Sequence, residues 1–225
     1  MNIDTAKASQ AAQAAAEGRA ARDRAAYEEV TVPLNFPADG SPLRVLYSGD
    51  SNMAGFYSST EDKAFRPLVT AALGTRGPVE EVHTYKPGAT TTYISDNFKV
   101  PENIGLAVIS IGTNWSREDG DAVAFGNRYS TYLASIKAAS PGAEILCLGI
   151  WARTNAETAP FVEEIATECK ANGGRFVDLA PLYVARDNLS GPAGVQTWAG
   201  ISDSSHPNDS GHRAIADEIL ERIRS

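Results

Sequence analysis

From Leu43 onward, short apolar runs of strand character alternate with longer runs of helical periodicity. The strand-like runs are rich in β-branched residues and fall at 43–47, 79–85, 106–111, 143–150 and 175–179. Helices are predicted after them, at 62–73, 90–98, 121–139, 160–172 and 208–223. This alternation is typical of a parallel sheet covered by helices on both faces. We therefore predict an α/β fold, a three-layer α/β/α sandwich around a five-stranded parallel sheet.

Residues 1–30 differ from the rest of the chain, because eleven of the first 26 residues are alanine and no proline occurs before Pro33. Alanine is the strongest helix former, so we predict a helical extension over 1–30. Its apolar face is too thin to fold alone. The helix therefore joins copies of itself in a homo-oligomer, packs on its own domain, or frays as a tail. Residues 31–42, which carry three prolines, are predicted to link it to a domain over 43–225.

Charge and hydropathy exclude several classes of partner. The net charge of −8 leaves no basic stripe for nucleic acid. No run approaches the roughly 20 apolar residues that span a bilayer. The start of the chain, Met1-Asn2-Ile3-Asp4, has no basic region followed by an apolar one, so no secretory signal is expected. The location stays unknown, with a cytoplasmic or virion-associated protein expected rather than a classically secreted one.

The two cysteines lie in different kinds of segment. Cys147 falls in an apolar strand-like run and Cys169 in a helical one. Two cysteines in such positions predict buried free thiols rather than a disulfide framework or a metal site.

Small polar clusters follow three of the predicted strands: Ser51 after the first, Gly88 after the second and Asn114 after the third. In a parallel sheet these loops open on the same edge. A fourth cluster, before the last helix, places Asp203 three residues ahead of His206. At that spacing the carboxylate can accept a hydrogen bond from the imidazole and fix its tautomer. A serine beside such an imidazole can attack an acyl carbon, whereas alone it is only a polar loop residue after a core strand.

The other two histidines have simpler expected roles. His83 lies inside the second predicted strand, and His212 follows Gly211 inside the last helix. We expect both to be structural, with His212 packed in the core.

The four clusters, in this order and after these strands, resemble the four blocks of the SGNH hydrolases, also called GDSL esterases and lipases. The blocks stand here as Gly49-Asp50-Ser51, the glycine of Lys86-Pro87-Gly88-Ala89, Gly112-Thr113-Asn114 and Asp203-Ser204-Ser205-His206. The resemblance covers residues 43–224 and implies an SGNH (flavodoxin-like) sandwich without metal or organic cofactor.

Carried over position by position, the resemblance implies a role for five residues. Ser51 is the nucleophile, His206 the general base and acid, and Asp203 the group that orients His206. The backbone N–H groups of Ser51 and Gly88 and the side-chain amide of Asn114 form the oxyanion hole. A glycine allows close approach of substrate, and a neutral amide can donate to a developing negative charge.

Two features bear on the substrate. The segment Asn52-Met53-Ala54-Gly55 resembles the first block of carbohydrate acetylesterases, which often have Gln where Asp50 stands, so Asp50 is a candidate substrate contact. Trp115 stands after Asn114 where the family commonly has Asp, and it either floors the pocket or covers the core.

The loop after the fourth strand contributes two further candidate contacts, Trp151 and Arg153, for a sugar or acidic portion of the substrate. The alternative is that Trp151 caps the sheet and that Arg153 is solvated. Trp198 precedes Asp203 and is a further candidate for the pocket wall.

These observations predict a serine esterase that removes a short acyl group, chiefly acetyl, from a carbohydrate through a Ser-His-Asp triad and an acyl-enzyme. The partner is then a small-molecule or glycan ester. A lipase or thioesterase for longer acyl chains is the alternative enzyme. A non-catalytic structural or binding module, such as a virion tail component, is the alternative from another class.

Overall fold

The computed structural model describes residues 30–118, 120–185 and 189–224. The chain divides into two compact units, Met1–Thr31 and Val32–Ser225. Nearly all of the predicted helix over 1–30 lies outside the described residues, so the helix and its part in assembly stay predictions. The sheet predicted from the sequence lies in the second unit.

A five-stranded sheet forms the centre of this unit. Its strands are β2 (Leu43–Gly49), β3 (Val79–Tyr85), β4 (Leu106–Ser110), β5 (Glu144–Leu148) and β6 (Arg175–Val177). Every pair in the order β3-β2-β4-β5-β6 is parallel, with Val45 opposite Leu106 and Leu43 opposite Val79. The five strands predicted from the apolar runs are confirmed, and their order places β2 between β3 and β4.

Seven α-helices connect or follow the strands in the described part of the chain. They are α1 (Ser51–Ala54), α2 (Phe65–Gly74), α3 (Thr91–Asn97), α4 (Ala122–Ala139), α5 (Ala159–Ala171), α6 (Ala180–Val184) and α7 (Asp209–Glu221). Five of them match the predicted helices to within about three residues at each end, whereas the short α1 and α6 were not expected. Within the same residues, no helix has both the length and the apolar character that crossing a membrane requires.

Two hydrophobic cores lie on opposite faces of the sheet, because successive strand residues point to opposite sides. On one face, Val45, Tyr47 and Val108 join residues of α2 and α7. On the other, Leu46, Ile109 and residues of α3, α4 and α5 pack together. The unit Val32–Ser225 is therefore the predicted three-layer α/β/α sandwich.

Two small pairings complete the fold and were not predicted. β1 (Val32–Pro33) pairs in parallel with β9 (Ile223–Arg224), so part of the segment expected to be a linker packs with the domain. β7 (Gln196–Thr197) and β8 (Gly200–Ile201) form an antiparallel hairpin shortly before the Asp203 loop.

The expectation of free thiols was wrong. Cys147 in β5 and Cys169 in α5 form a disulfide, with their Cα atoms 6.1 Å apart. The helix packs directly on the strand, which brings two side chains that are 22 positions apart into contact. The sequence alone offered no measure of that packing.

Candidate active site

Ser51 lies at the carboxyl edge of the sheet, at the first turn of α1. The approach of β2 to β4 leaves no room for a side chain at Gly49, because an added Cβ would stand 2.4 Å from the carbonyl oxygen of Ser110. The chain then turns sharply, and the Asp50 carboxylate caps α1 by accepting the Asn52 N–H at 3.0 Å. These constraints fix the position of Ser51 from both sides.

Ser51, His206 and Asp203 form a continuous hydrogen-bonded chain. Ser51 Oγ lies 2.8 Å from His206 Nε2, and His206 Nδ1 lies 2.7 Å from Asp203 Oδ2. With Nδ1–H donating to the carboxylate, Nε2 is left as an acceptor for the Ser51 hydroxyl proton. The structure therefore brings Ser51 to the Asp203–His206 pair, which lies about 150 positions later in the sequence, in the order expected.

The loop carrying His206 is held by the same aspartate. Asp203 Oδ1 accepts the N–H groups of Ser205 and His206, each at 2.8 Å. Burial raises the pKa of the Asp203 carboxyl, but these N–H groups and the imidazole charge outweigh it and lower the pKa to about 2. Asp203 is therefore a carboxylate throughout the neutral range, fixed in place as an acceptor.

Trp151 supports this loop from below. Its side chain is buried, and its indole N–H donates to the Ser205 carbonyl oxygen at 3.0 Å and to Ser190 Oγ at 3.2 Å. The indole packs edge-on against the Tyr183 ring. Of the two interpretations left open for Trp151, the structure favours the structural one.

The candidate oxyanion-hole donors are free to bind. Within the described ranges, the N–H groups of Ser51 and Gly88 donate to no protein acceptor. Gly88 has a φ of +75°, the left-handed region, in a turn closed by the Ala89 N–H and the Lys86 carbonyl. Asn114 Nδ2 donates one hydrogen to the Ala89 carbonyl at 3.1 Å and keeps the second.

Two hydrogen bonds between side chains and neighbouring loops keep these segments together. Asn52 Nδ2 donates to Thr113 Oγ1 at 3.1 Å, which joins the Ser51 turn to the Asn114 loop. The Asn114–Ala89 bond joins the Asn114 loop to the Gly88 turn. The three predicted blocks are therefore neighbours at one edge of the sheet.

The other candidate substrate contacts from the sequence are Asp50, Trp115 and Arg153. Asp50 is wholly buried, and burial raises the pKa of its carboxyl to about 7 against the opposing effect of the N–H groups of Asn52 and Thr113. It caps a helix and is out of reach of substrate. Trp115 packs on the Phe161 ring and covers the core. Arg153 is exposed, and its backbone carbonyl accepts a hydrogen bond from the Thr158 hydroxyl.

Sequence reasoning missed the surroundings of His206. The Tyr57 ring packs edge-on against the imidazole, with centroids 5.1 Å apart. Tyr57 also lines a groove of about 280 Å³ whose walls mix polar side chains such as Ser59 and Thr197 with Pro192 and Val195. Trp198, a candidate from the sequence, donates its indole N–H to Ser58 Oγ at 3.0 Å beside this segment. Neither Tyr57 nor the groove is marked by any spacing in the sequence.

Neither His83 nor His212 is part of the hydrogen-bonded chain from Ser51 to Asp203, and both have the structural roles expected. His212 is fully buried and bridges the Phe65 N–H and the Phe56 carbonyl oxygen, and its burial lowers its pKa to about 4. His83 bonds to Glu81 on β3. Among the described residues, no group of three or more His, Cys, Asp or Glu side chains is placed to hold a metal ion.

Comparisons with known proteins bear on the whole domain. The sequence model of the GDSL-like lipase/acylhydrolase family matches residues 48–214. A comparison with curated protein sequences gives no significant match.

Several solved structures share the fold at low sequence identity. An acetyl xylan esterase, AlAXEase, is 20% identical with a TM-score of 0.59, covering 79% of this chain and 98% of its own. A phospholipase A1 of Streptomyces albidoflavus is 16% identical with a TM-score of 0.57, covering 81% and 100%. A carbohydrate esterase family 2 enzyme of Corynascus thermopiles is 15% identical with a TM-score of 0.59, covering 84% and 67%.

Proposed function

The chain belongs to the GDSL-like lipase/acylhydrolase family of SGNH serine esterases, and from this premise we propose that it removes short acyl groups, acetyl first, from carbohydrate esters. The observation that carries the proposal is the hydrogen-bonded chain from Ser51 Oγ through His206 to Asp203, beside the unpartnered N–H groups of Ser51 and Gly88.

In the first half of the reaction, Ser51 Oγ attacks the acyl carbon as its proton passes to His206 Nε2, 2.8 Å away. Asp203 holds Nδ1–H and stabilises the imidazolium that forms. The carbonyl oxygen becomes an oxyanion, which accepts hydrogen bonds from the N–H groups of Ser51 and Gly88 and from Asn114 Nδ2. The C–O bond to the alcohol then breaks, and His206 gives the alcohol its proton.

In the second half, water replaces the alcohol. His206 Nε2 takes a proton from water, the hydroxide attacks the acyl carbon bound to Ser51, and the same donors stabilise the second oxyanion. Collapse of this intermediate breaks the bond to Ser51 Oγ, which regains a proton from His206. The products are a free acid and the resting site.

The choice of a short acyl group and a hydroxylated alcohol has two supports. The groove beside Tyr57 combines an aromatic ring with the polar side chains Ser59, Thr197 and Asn208, a surface on which a sugar can stack and form hydrogen bonds. Two of the similar structures are described as an acetyl xylan esterase and a carbohydrate esterase. The phospholipase among them keeps the long-chain alternative open to test.

Chain-length kinetics distinguish these two substrate classes. Each methylene that finds apolar cover is worth about 0.8 kcal/mol, so an acyl groove gives kcat/KM that rises with chain length. We expect the reverse for p-nitrophenyl esters of two to eight carbons, with acetate preferred and octanoate barely hydrolysed. A steady rise towards octanoate would overturn the acetylesterase proposal in favour of a lipase or thioesterase.

The natural alcohol is tested with acetylated glycans. Acetate release from acetylated xylan and mannan is measured for the wild type and for Ser51→Ala. The wild type should release acetate, and Ser51→Ala should retain less than about a tenth of the activity, because residues of a triad act as a unit. A wild type that hydrolyses no ester would support the non-catalytic alternative.

A further inference from the structure

Gly88 and Asn114 follow strands that do not pair with each other. Gly88 comes three residues after β3 and Asn114 four residues after β4, while β2 lies between these strands. Neighbouring strands lie about 4.8 Å apart, so the ends of β3 and β4 are separated by about twice that distance. Hydrogen bonds within the sheet therefore do not set the distance between the two donors. Contacts between the loops have to do so.

The two loops are tied by two sets of hydrogen bonds, which we call the loop bridge. In the first, Asn114 Nδ2 donates to the Ala89 carbonyl at 3.1 Å. In the second, Glu118 Oε1 accepts both the Thr91 N–H at 2.7 Å and the Thr91 hydroxyl at 3.0 Å. Thr91 stands three residues after Gly88, and Glu118 four residues after Asn114. The second tie thus continues the first.

Glu118 is built into the protein as an internal acceptor. Its side chain has no exposed surface, and its Oε2, which has no hydrogen-bond partner among the described residues, lies 3.6 Å from Arg128 Nη2 on α4. Removing a carboxyl from water is costly unless hydrogen bonds and charge compensate. Here the compensation comes from Thr91 at one oxygen and from the guanidinium near the other. Burial raises the pKa of the Glu118 carboxyl above its ordinary value, although the hydrogen bonds from Thr91 and the charge of Arg128 oppose this shift.

The position of Thr91 in the fold explains how a hydrogen bond to it can fix the Gly88 loop. It is the first residue of α3, whose N-cap is Thr90, and it is itself fully buried. The N–H groups of the first turn of a helix lack partners within the helix, and Glu118 accepts a hydrogen bond from one of them, the N–H of Thr91. Fixing Thr91 fixes the start of α3 and the short segment back to Gly88.

We propose that Glu118 is a positioning residue of the oxyanion hole, which holds the Gly88 loop against the Asn114 loop through Thr91. The inference rests on the proposed function, since it assigns Gly88 and Asn114 to the same oxyanion. Glu118 does not touch the substrate. It sets the geometry in which two donors from non-adjacent strands meet one oxygen, and a displacement of about 1 Å in such a site can cost about a hundredfold in rate.

The first experiment compares Glu118→Ala with Glu118→Gln in the hydrolysis of p-nitrophenyl acetate. Alanine removes the acceptor, so we expect kcat to fall by about 10- to 100-fold with KM changed by less than about threefold. Glutamine keeps an oxygen at Oε1 and nearly the same volume. It should restore kcat to within a few-fold of the wild type. Titration with a fluorophosphonate counts intact sites, so kcat refers to folded protein.

A second readout addresses the oxyanion directly. A trifluoromethyl ketone adds to the serine and leaves an oxyanion in the hole, so its affinity for Glu118→Ala should fall by about the same factor as kcat/KM. Thr91→Val is a milder variant that keeps the N–H bond and loses only the hydroxyl bond. It should lower kcat a few-fold in the same direction.

Ser140→Ala is the matched control. Ser140 Oγ is a buried oxygen that accepts the Ile104 N–H at 2.9 Å, near the amino end of β4 and away from the site. This variant should lower the melting temperature and leave kcat unchanged. If Glu118→Ala behaves like it, or if Glu118→Gln is as impaired as Glu118→Ala, the positioning role is overturned. A wild type that neither hydrolyses the ester nor reacts with the fluorophosphonate contradicts the proposed function instead.

Discussion

At the level of single residues, Asn114 combines two tasks in one amide. One hydrogen of Nδ2 anchors the Ala89 carbonyl, and the other is available to an oxyanion. Substitution with aspartate keeps an oxygen of the side chain and removes both hydrogens of Nδ2. A substitution at Asn114 therefore tests the two tasks together.

Asn114→Ala should lower kcat by about 10²- to 10³-fold, or about 2.7–4 kcal/mol, as loss of an oxyanion-hole donor does. Asn114→Asp, which places negative charge at the same point, should be at least as impaired. Steady-state kinetics on p-nitrophenyl acetate measure both. A change confined to KM would make Asn114 a ground-state contact and contradict the assignment.

Asp50 and His212 have opposite effects on stability between pH 4 and 7. Burial raises the pKa of Asp50 from its ordinary 3.8 to about 7, so in this range the folded state binds more protons than the unfolded state. Stability from this group therefore falls as pH rises. Burial lowers the pKa of His212 from 6.5 to about 4, so the folded state binds fewer protons and stability rises with pH. The two slopes oppose each other.

Asp50→Asn should expose this compensation. Asparagine still caps α1 but does not titrate, so only the rising contribution of His212 remains. The unfolding free energy of the variant relative to the wild type should increase from pH 4 to pH 7 by up to about 4 kcal/mol. Urea unfolding at four pH values measures it, with Asp62→Asn at an exposed position as control. A difference that stays constant with pH would show that Asp50 is charged in the folded protein.

At the level of elements, the disulfide links β5 to α5 behind the sheet. It closes a loop of 22 residues, and the chain-entropy model gives about 3 kcal/mol for a loop of this length. Disulfides persist in oxidising compartments and are rare in the cytoplasm. The location itself stays a prediction.

Replacing both Cys147 and Cys169 with alanine should lower the unfolding free energy by about 2–4 kcal/mol and leave kcat of the folded protein unchanged. Both cysteines lie in the core on the face of the sheet covered by α3, α4 and α5, and neither belongs to the hydrogen-bonded chain of the site, which is why kcat should not change. Denaturant unfolding with and without dithiothreitol measures the effect. The reductant should destabilise the wild type and not the double variant, and equal curves for the oxidised and reduced wild type would contradict the expectation.

The strands and long helices could be predicted because their apolar periodicity records which faces are buried. β1 and β9 could not, since two residues have no period and Pro33 argues against a strand. The disulfide depends on the distance between a helix and a strand, which spacing along the chain does not encode.

The site was predictable where chemistry demands a residue type. Ser51, His206 and Asp203 come together as their order implied. The roles of Asp50 and Trp151 were not readable, because capping and burial depend on how the chain folds back. Glu118 carries no motif at all, and only the separation of β3 from β4 shows why an acceptor stands there.

At the scale of the whole molecule, every residue assigned to the site lies in the unit Val32–Ser225. The alanine-rich composition of residues 1–30 predicts a helix with too little apolar surface to fold alone. Assembly and chemistry should therefore be separable.

Deletion of residues 1–29 should lower the oligomeric state and keep kcat per site unchanged. Light scattering gives the mass, and p-nitrophenyl acetate hydrolysis gives the turnover. An unchanged mass would favour a helix packed on its own domain or a frayed tail, and a lost activity would show that the extension contributes to the site.

The parallel pairing of β1 with β9 places the first strand of the unit Val32–Ser225 beside its last strand. Val32 stands opposite Ile223, so the first and last described residues of the unit lie close together. A peptide linker only long enough to run back along a two-residue strand would join them. New ends could then be opened at Pro141-Gly142, where Gly142 has open space around it, between α4 and the amino end of β5. Such a circular permutant would carry Ser51, Gly88, Asn114 and His206 in the same spatial order on a chain that begins elsewhere.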